Sequence, residues 1–221
     1  MKRIWGWIIL LGLSKMLTAG EVDKDILNTA KSATYLSPLE KEVIYEINLF
    51  RSDPANYSRK YIEPLKKQYD KKILHYPGDN KPICTVEGVR ALNECVQELK
   101  RMSARPLLYP NNELSMAARD HQRDQQRSGK TGHVGNNGSK MKDRVEKYGR
   151  WLHLIGENIA YGNTSARQIV VFLLIDDGVK DRGHRSTLLN PDFSLVGVAC
   201  GSHPVYETMC VLDFAGGMAK E

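Results

Sequence analysis

The sequence predicts an α+β domain in which helices pack on a small, mostly antiparallel sheet. Apolar residues recur at helical spacing through most of the chain, and two β-rich runs follow close to its end. The chain has 221 residues, of which 41% are hydrophobic and 26% charged, so it can bury one sizeable core. We expect one domain over residues 37–221, preceded by a polar lead-in over residues 21–36 without a core of its own.

Residues 1–20 have the composition of a secretory signal peptide. A basic start is followed by an unbroken apolar run, Ile4–Leu13, which is shorter than the ~20 residues that span a bilayer. Small residues at Thr18–Gly20 offer a cleavage point. Lys15 interrupts the stretch, so the alternative is that the segment is not cleaved and anchors the protein. We expect no other attachment to a membrane. We therefore expect a secreted or cell-surface protein.

The charge balance argues against a nucleic-acid partner. The formal net charge is +6, and removal of residues 1–20 takes Lys2, Arg3 and Lys15 with it, which lowers the charge to +3. Such an excess is too small for a nucleic-acid-binding surface. The densest basic stretch, Arg59–Lys81, also carries acidic residues. We interpret it as a solvated loop, with attachment to a cell surface or wall as the alternative.

Three helices are predicted in the first half of the chain. The capping sequence Ser37–Glu40 starts the first helix, and Pro54 ends it. Apolar spacing predicts a second helix over Val86–Met102 and a third that begins at Asn112. His121 lies on the apolar stripe of the third helix, so we expect a hydrogen-bonded core histidine there.

The second half begins with a glycine-rich stretch, Lys130–Ser139, which predicts a loop. A short helix is expected over Lys140–Tyr148. Another capping box begins at Ser165 and opens a helix that runs to Ile175. Its last seven residues are all apolar, which indicates burial on every side. Gly178 is placed to end this helix.

All four cysteines lie in the part of the chain expected to be exported, where an even number suggests two disulfides. Cys200 and Cys210 lie in the two β-rich runs, Ser194–Ser202 and Glu207–Ala215. A hairpin centred near Val205 places these cysteines directly opposite each other. Cross-strand neighbours at that spacing can be bridged, so the sequence predicts this disulfide.

Cys84 and Cys95 then pair by elimination. If a helix begins at Val86, Cys95 lies ~13 Å along its axis, at 1.5 Å per residue. The bridge therefore requires a helix that starts late or a loop that doubles back. Otherwise both thiols are free.

The adjacent carboxylates of Asp176 and Asp177 conflict with local helix-forming preferences. They close an otherwise apolar helix at the end where the helix dipole disfavours negative charge. Ion pairs with basic residues just downstream are one explanation. The favoured explanation is that one carboxylate faces a cavity and holds a cation or an imidazolium, because departures from local rules tend to mark functional sites.

Two histidines and a glutamate accompany this pair. His133 lies in the glycine-rich loop, where its glycine neighbours allow another group to approach closely, and His184 follows Asp176 within eight residues. Glu157 lies in an apolar segment bounded by glycines, where a carboxylate becomes buried and needs a partner. Two histidines and two acids are a ligand set for zinc or a related cation, although spacing alone does not bring them together.

These residues resemble those of a known family. The segment Gly156–Gly162 (GENIAYG) resembles the GENI signature of the CAP superfamily, which includes cysteine-rich secretory proteins, insect venom antigens and plant pathogenesis-related proteins. His133 matches the first histidine of that family. Gly183–Arg185, with the LLNP and VGV sequences that follow it, is similar to the bacterial form of the second histidine motif. The resemblance covers roughly Leu39–Gly217.

The resemblance implies an α-β-α sandwich with a large central cleft that holds a His, Glu, Glu, His tetrad. His133, Glu157 and His184 take three of these positions. Asp177 matches the remaining glutamate best, with Asp176 as the alternative. Aspartate is one methylene shorter than glutamate, so a water molecule would fill the gap, or a larger cation that favours oxygen ligands would be preferred.

The resemblance also implies a divalent cation bound by His133 and His184, zinc above all, with calcium or magnesium as alternatives. Fold alone does not settle function. The favoured hypothesis is a binding module for an extracellular lipid, glycan or protein. The alternative is a metal-dependent hydrolase in which Glu157 acts as general base on a metal-bound water and Asp177 or Asp176 is the second acid. A wall-associated structural role is a third possibility.

Overall fold

The computed structural model describes residues 24–219, and the predicted signal peptide lies outside this range. Its α-helices are α1 (Lys24–Leu27), α2 (Pro38–Ser52), α3 (Pro54–Tyr57), α4 (Val89–Lys100), α5 (Asn112–Ser128), α6 (Met141–Val145), α7 (Ala166–Ile175) and α8 (Gly183–Leu189). Its strands are β1 (Tyr69–Asp70), β2 (Ile73–Leu74), β3 (Ile83–Cys84), β4 (Tyr109–Pro110), β5 (Trp151–Tyr161), β6 (Leu195–His203) and β7 (Glu207–Met218). Within residues 24–219, no helix combines the length and the apolar character needed to cross a membrane.

The main sheet lies between two helical layers. Its strand order is β4-β6-β7-β5, with β4 parallel to β6 and the other pairs antiparallel. Side chains alternate between its faces. The opposed pair Val198 and Leu212 joins the core formed with α2, α4 and α7, whereas the next pair, Ala199 and Val211, packs with Ala118 of α5. The predicted α+β class and the α-β-α sandwich are both confirmed.

The hairpin at the end of the chain has the predicted register. Cys200 lies opposite Cys210 in the β6–β7 pairing, and a disulfide joins them. Strand β5 was not predicted from the sequence. It pairs with β7 along its length, with an irregularity between Leu152 and Ile155. This pairing places Gly156–Tyr161 of the GENIAYG segment in an edge strand of the sheet.

The basic stretch expected to be a solvated loop is folded. A π-helical turn (Ser58–Ile62) and a 3-10 helix (Glu63–Gln68) follow α3, and a three-stranded antiparallel sheet, β1-β2-β3, comes next. Ile62 and Leu65 are buried in the main core. The loop prediction was wrong because residues of both charges surround these two buried side chains in the sequence.

The proposed Cys84–Cys95 bridge is not formed, and both thiols are free. Helix α4 begins at Val89, three residues later than predicted, because Gly88 before it has a left-handed backbone (φ +63°). Cys84 is exposed on β3, whereas Cys95 is buried inside α4. The late start therefore does not bring the two cysteines together.

The lead-in packs onto the domain through apolar side chains and one amide. Ala30 and Leu36 are buried in the main core. Asn48 of α2 is also buried, and its Nδ2 donates to the carbonyl oxygens of Leu27 (3.1 Å) and Leu108 (3.0 Å). The amide thus ties the lead-in to the segment that precedes β4.

Candidate functional site

Asp176 ends α7 in a left-handed conformation, with φ 55° and ψ 46°. Glycine is the usual residue at such a helix end, and a side chain there costs ~1 kcal/mol. The helix therefore ends at Asp176 and not at the predicted Gly178. The turn directs the Asp176 carboxylate toward the start of α8, where its Oδ2 accepts hydrogen bonds from the backbone N–H groups of His184 (2.9 Å) and Arg185 (3.3 Å).

The same carboxylate holds the His184 side chain. Asp176 Oδ1 lies 2.7 Å from His184 Nδ1, and the aspartate side chain is almost completely buried. Asp177, which the family resemblance favoured for this position, points elsewhere. Its carboxylate accepts the backbone N–H groups of Val86 and Glu87, ahead of α4. Asp176 is therefore the acid that contacts His184, and the preference for Asp177 was wrong.

A second acid–histidine pair lies beside the first. Glu157 of β5 places Oε1 2.8 Å from Nδ1 of His133, in the glycine-rich loop. Its Oε2 accepts a hydrogen bond from Nη2 of Arg144 at 2.6 Å. Burial alone would raise the pKa of Glu157, but the hydrogen bond from His133 and the positive charge of Arg144 outweigh it and lower that pKa. Glu157 is therefore ionised at neutral pH.

Asp213 of β7 lies directly opposite Glu157 of β5 and belongs to the same buried cluster. Neither of its carboxyl oxygens has a hydrogen-bond partner by distance and angle among residues 24–219. Burial, followed by the nearby charge of Glu157, raises the pKa of Asp213 well above its ordinary value. Folding therefore favours the protonated form of Asp213. Asp213 was absent from the predicted site, and its one signal in the sequence is that of a single acid within the apolar run Val211–Ala215.

His121 is a core residue, as predicted. It is fully buried in α5, and its Nε2 lies 2.8 Å from the carbonyl oxygen of Gly132. The same Nε2 also lies 2.9 Å from the amide nitrogen of Gln125, so it contacts both the carbonyl of Gly132 and the Gln125 amide. Burial lowers the pKa of His121, which keeps the ring neutral.

The two acid–histidine pairs present their imidazoles side by side. The ring centroids of His133 and His184 are 6.4 Å apart, and the ring planes are tilted by 34°. The side chains are 54% and 25% exposed, so solvent reaches both rings. Each Nδ1 faces a buried carboxylate, and neither Nε2 has a hydrogen-bond partner in the part of the chain that the structure describes. The two Nε2 atoms are thus left for a metal ion or a ligand.

The acids are therefore bound to the histidines and are not open ligands. No group of three or more His, Cys, Asp or Glu side chains between residues 24 and 219 is arranged to hold a metal ion. A cation at this position would find two imidazole nitrogens from the protein. Its other coordination positions would be left to water or to a ligand. The arrangement brings together His133, Glu157, His184 and Asp176 from the predicted set, and leaves Asp177 and the four cysteines outside.

Comparison with known proteins supports the resemblance seen in the motifs. A family model, described as the cysteine-rich secretory protein family (CAP), matches residues 45–214. An extracellular protein of Bacillus anthracis that contains an SCP domain is similar in structure, with 26% identity and a TM-score of 0.41 over 50% of this chain and 34% of that one. An outer surface protein of Borrelia burgdorferi has 19% identity and a TM-score of 0.42, over 49% and 76% of the two chains. No curated protein matches the sequence.

Proposed function

The chain belongs to the cysteine-rich secretory protein (CAP) family, and we propose that it is an exported binding protein whose His133 and His184 hold a divalent cation. The observation that carries this proposal is the pair of neighbouring imidazoles, each with Nδ1 held by a buried carboxylate. A histidine whose Nδ1–H donates to a carboxylate has its lone pair on Nε2, which is the usual arrangement of a metal-binding histidine.

Zinc fits this donor set better than calcium or magnesium. Imidazole nitrogen is a preferred ligand of zinc, whereas the other two ions require mainly oxygen ligands. The nearby carboxylates are already engaged by His133, Arg144 and His184. With two ligands from the protein, zinc keeps positions open for an external oxygen donor. We therefore propose a ligand with oxygen donors, such as a glycan or a carboxylate-bearing protein.

The position of Glu157 favours a binding protein over a hydrolase. A general base must reach the proton of a metal-bound water. Glu157 is 3% exposed, one oxygen contacts His133, and the other accepts a hydrogen bond from Arg144. These contacts suit a residue that orients His133.

Export is part of the same proposal. The apolar run at residues 4–13 and the Cys200–Cys210 disulfide support it, since disulfides persist mainly in oxidising compartments. Amino-terminal sequencing of the protein recovered outside the cell should begin after residue 20 or close to it. An intact Met1 on protein confined to the cytosol would overturn export without bearing on the metal site.

Zinc titration by calorimetry tests the site, on protein purified without chelators. We expect saturable binding of one ion per chain, and loss of binding in both His133→Ala and His184→Ala. His75→Ala is the matched control, because His75 is exposed and its side chain makes no hydrogen bond or ion pair within residues 24–219. Absence of saturable zinc binding, or unchanged binding in the two site variants, would refute the proposal.

A further inference from the structure

A polar cavity lies beside α5 and is lined in part by Arg144, the residue that pairs with Glu157. Its volume is about 270 Å³, and its lining comes from α5, the glycine-rich loop and the segment around α6, with six charged residues: Asp120, Arg123, Asp124, Arg127, Arg144 and Lys147. We propose that this cavity, called the α5 cavity below, binds a small oxyanion of the size of phosphate. The inference concerns a separate ligand and does not depend on a metal at His133 and His184.

Arg144 supplies a buried positive donor to the α5 cavity. Its Nη1 donates to the carbonyl oxygens of His133 and Ser139, and its Nη2 donates to Glu157. Its Nε is buried and has no partner among residues 24–219. A buried donor without a partner is costly, and a guanidinium always carries its hydrogens. A small movement of the Arg144 side chain, which lines the cavity, would present this N–H to an oxygen atom bound there.

Arg123 and Arg127 add two cations at the rim. They are four residues apart on α5, so they lie on the same face of the helix. Both are exposed, and neither forms an ion pair with any residue that the structure describes. Like charges at this spacing repel each other. An anion between the two guanidinium groups would convert this repulsion into attraction.

The charge balance of the α5 cavity is positive once its internal pairs are set aside. Lys147 is paired with Asp120 at 3.0 Å, and Arg144 is paired with Glu157. Asp124 accepts a hydrogen bond from the backbone N–H of Asn136. Its one negative charge is all that remains in the lining to balance the two positive charges of Arg123 and Arg127. The volume exceeds the ~30 Å³ that one water molecule occupies in the liquid, so an oxyanion has room.

His121 indicates which oxyanion fits best. His121 also lines the α5 cavity, and its Nδ1 is buried without a partner among residues 24–219. Its Nε2 contacts the carbonyl oxygen of Gly132 and the amide nitrogen of Gln125, and we assign the ring hydrogen to Nε2, which leaves a lone pair on Nδ1. Hydrogen phosphate has a hydroxyl group that can donate to such a lone pair. Sulfate has no hydrogen to donate at neutral pH. We therefore expect phosphate to bind more tightly than sulfate.

Calorimetric titration of inorganic phosphate into the whole exported protein, in a low-salt buffer with a chelator, tests the inference. We expect one saturable site that weakens with added sodium chloride. The double variant Arg123→Gln with Arg127→Gln should bind phosphate about tenfold more weakly, because two charge-assisted contacts are lost. The matched control is Lys66→Gln with Lys67→Gln, which removes the same charge from two exposed residues of the 3-10 helix.

The inference stands if only the arginine variant loses affinity. It is overturned if the unaltered protein shows no saturable phosphate binding, which would mean that the α5 cavity holds water. Equal losses in the arginine and lysine variants would also overturn it, since they would indicate general attraction to a basic protein. Sulfate binding as tight as phosphate binding would contradict the assigned role of His121. Because the chelator removes metal, failure here leaves the zinc proposal untouched.

Discussion

Glu157 and Asp213 lie directly opposite each other on β5 and β7, and within residues 24–219 only Glu157 of the two forms an ion pair with a cationic side chain. Two adjacent buried carboxylates could not both be ionised without a large electrostatic cost. The hydrogen bonds from His133 and Arg144 keep the charge on Glu157, and burial beside that charge favours the protonated form of Asp213. The negative charge beneath His133 is thus that of Glu157, which fixes the orientation of the imidazole.

Asp213→Asn should therefore gain stability relative to the unaltered protein as pH rises. The pKa of Asp213 is raised by folding, so the native state keeps a proton that the unfolded state loses above about pH 4. The unaltered protein then loses up to ~1.4 kcal/mol per pH unit from this group, until the native pKa is reached. Asparagine does not titrate and is free of this loss. Urea unfolding at pH 4, 5, 6 and 7 measures the difference.

The control for this experiment is Asp192→Asn, because Asp192 is exposed and its side chain makes no hydrogen bond or ion pair among residues 24–219. We expect the stability difference between this control and the unaltered protein to be independent of pH. A pH-independent difference for Asp213→Asn as well would show that Asp213 is ionised in the native state.

Asp176→Asn and Asp177→Asn should separate the two adjacent acids. Asp176 contacts His184, so its replacement should weaken zinc binding about 10-fold to 100-fold, as is typical when the partner of a metal-binding histidine is removed. Asp177 holds the backbone ahead of α4, so its replacement should lower stability and leave zinc affinity unchanged. Zinc calorimetry and urea unfolding measure the two effects. Equal losses of zinc affinity in both variants would contradict the assignment.

The sequence predicted those features of the fold that depend on local signals. Helix α2 begins at Pro38 because Ser37 and Glu40 form a capping box, which involves neighbouring residues alone. The hairpin register followed from simple counting around Val205. Strand β5 escaped prediction because Glu157 and Asn158 interrupt its apolar pattern, and their burial depends on distant partners such as Arg144.

The candidate site was predictable by residue type and not by geometry. The family motifs led to His133, Glu157 and His184, which the structure brings together. The choice between Asp176 and Asp177 depended on one left-handed residue at the end of α7, which no spacing rule specifies. The role of Asp213 could be recognised only from the pairing of β5 with β7, because Glu157, which lies opposite it, is more than fifty residues away in the chain.

The two free thiols should differ strongly in reactivity. Cys84 is exposed, whereas Cys95 is buried and burial raises its pKa to about 12. The thiolate is the reactive form of cysteine. At pH 8, an aromatic disulfide reagent should label one thiol per molecule rapidly, and the second only after unfolding in denaturant. Cys84→Ser should abolish the rapid phase. No labelling of the unaltered protein, even in denaturant, would mean that Cys84 and Cys95 are bridged.

Gly197→Ala should destabilise the domain because α5 lies directly on β6 at this point. A Cβ atom at Gly197 would overlap the backbone of Leu114 and Ser115, which no side-chain rotation can relieve. Such overpacking typically costs about 1–3 kcal/mol, and we expect the upper end because α5 itself must shift. Gly217→Ala on β7 is the matched control, since its Cβ would lie 3.6 Å from the nearest atom, in Leu152. The control should change the free energy of unfolding by less than about 0.5 kcal/mol. Equal effects of the two substitutions in urea unfolding would show that α5 does not lie this close to the sheet.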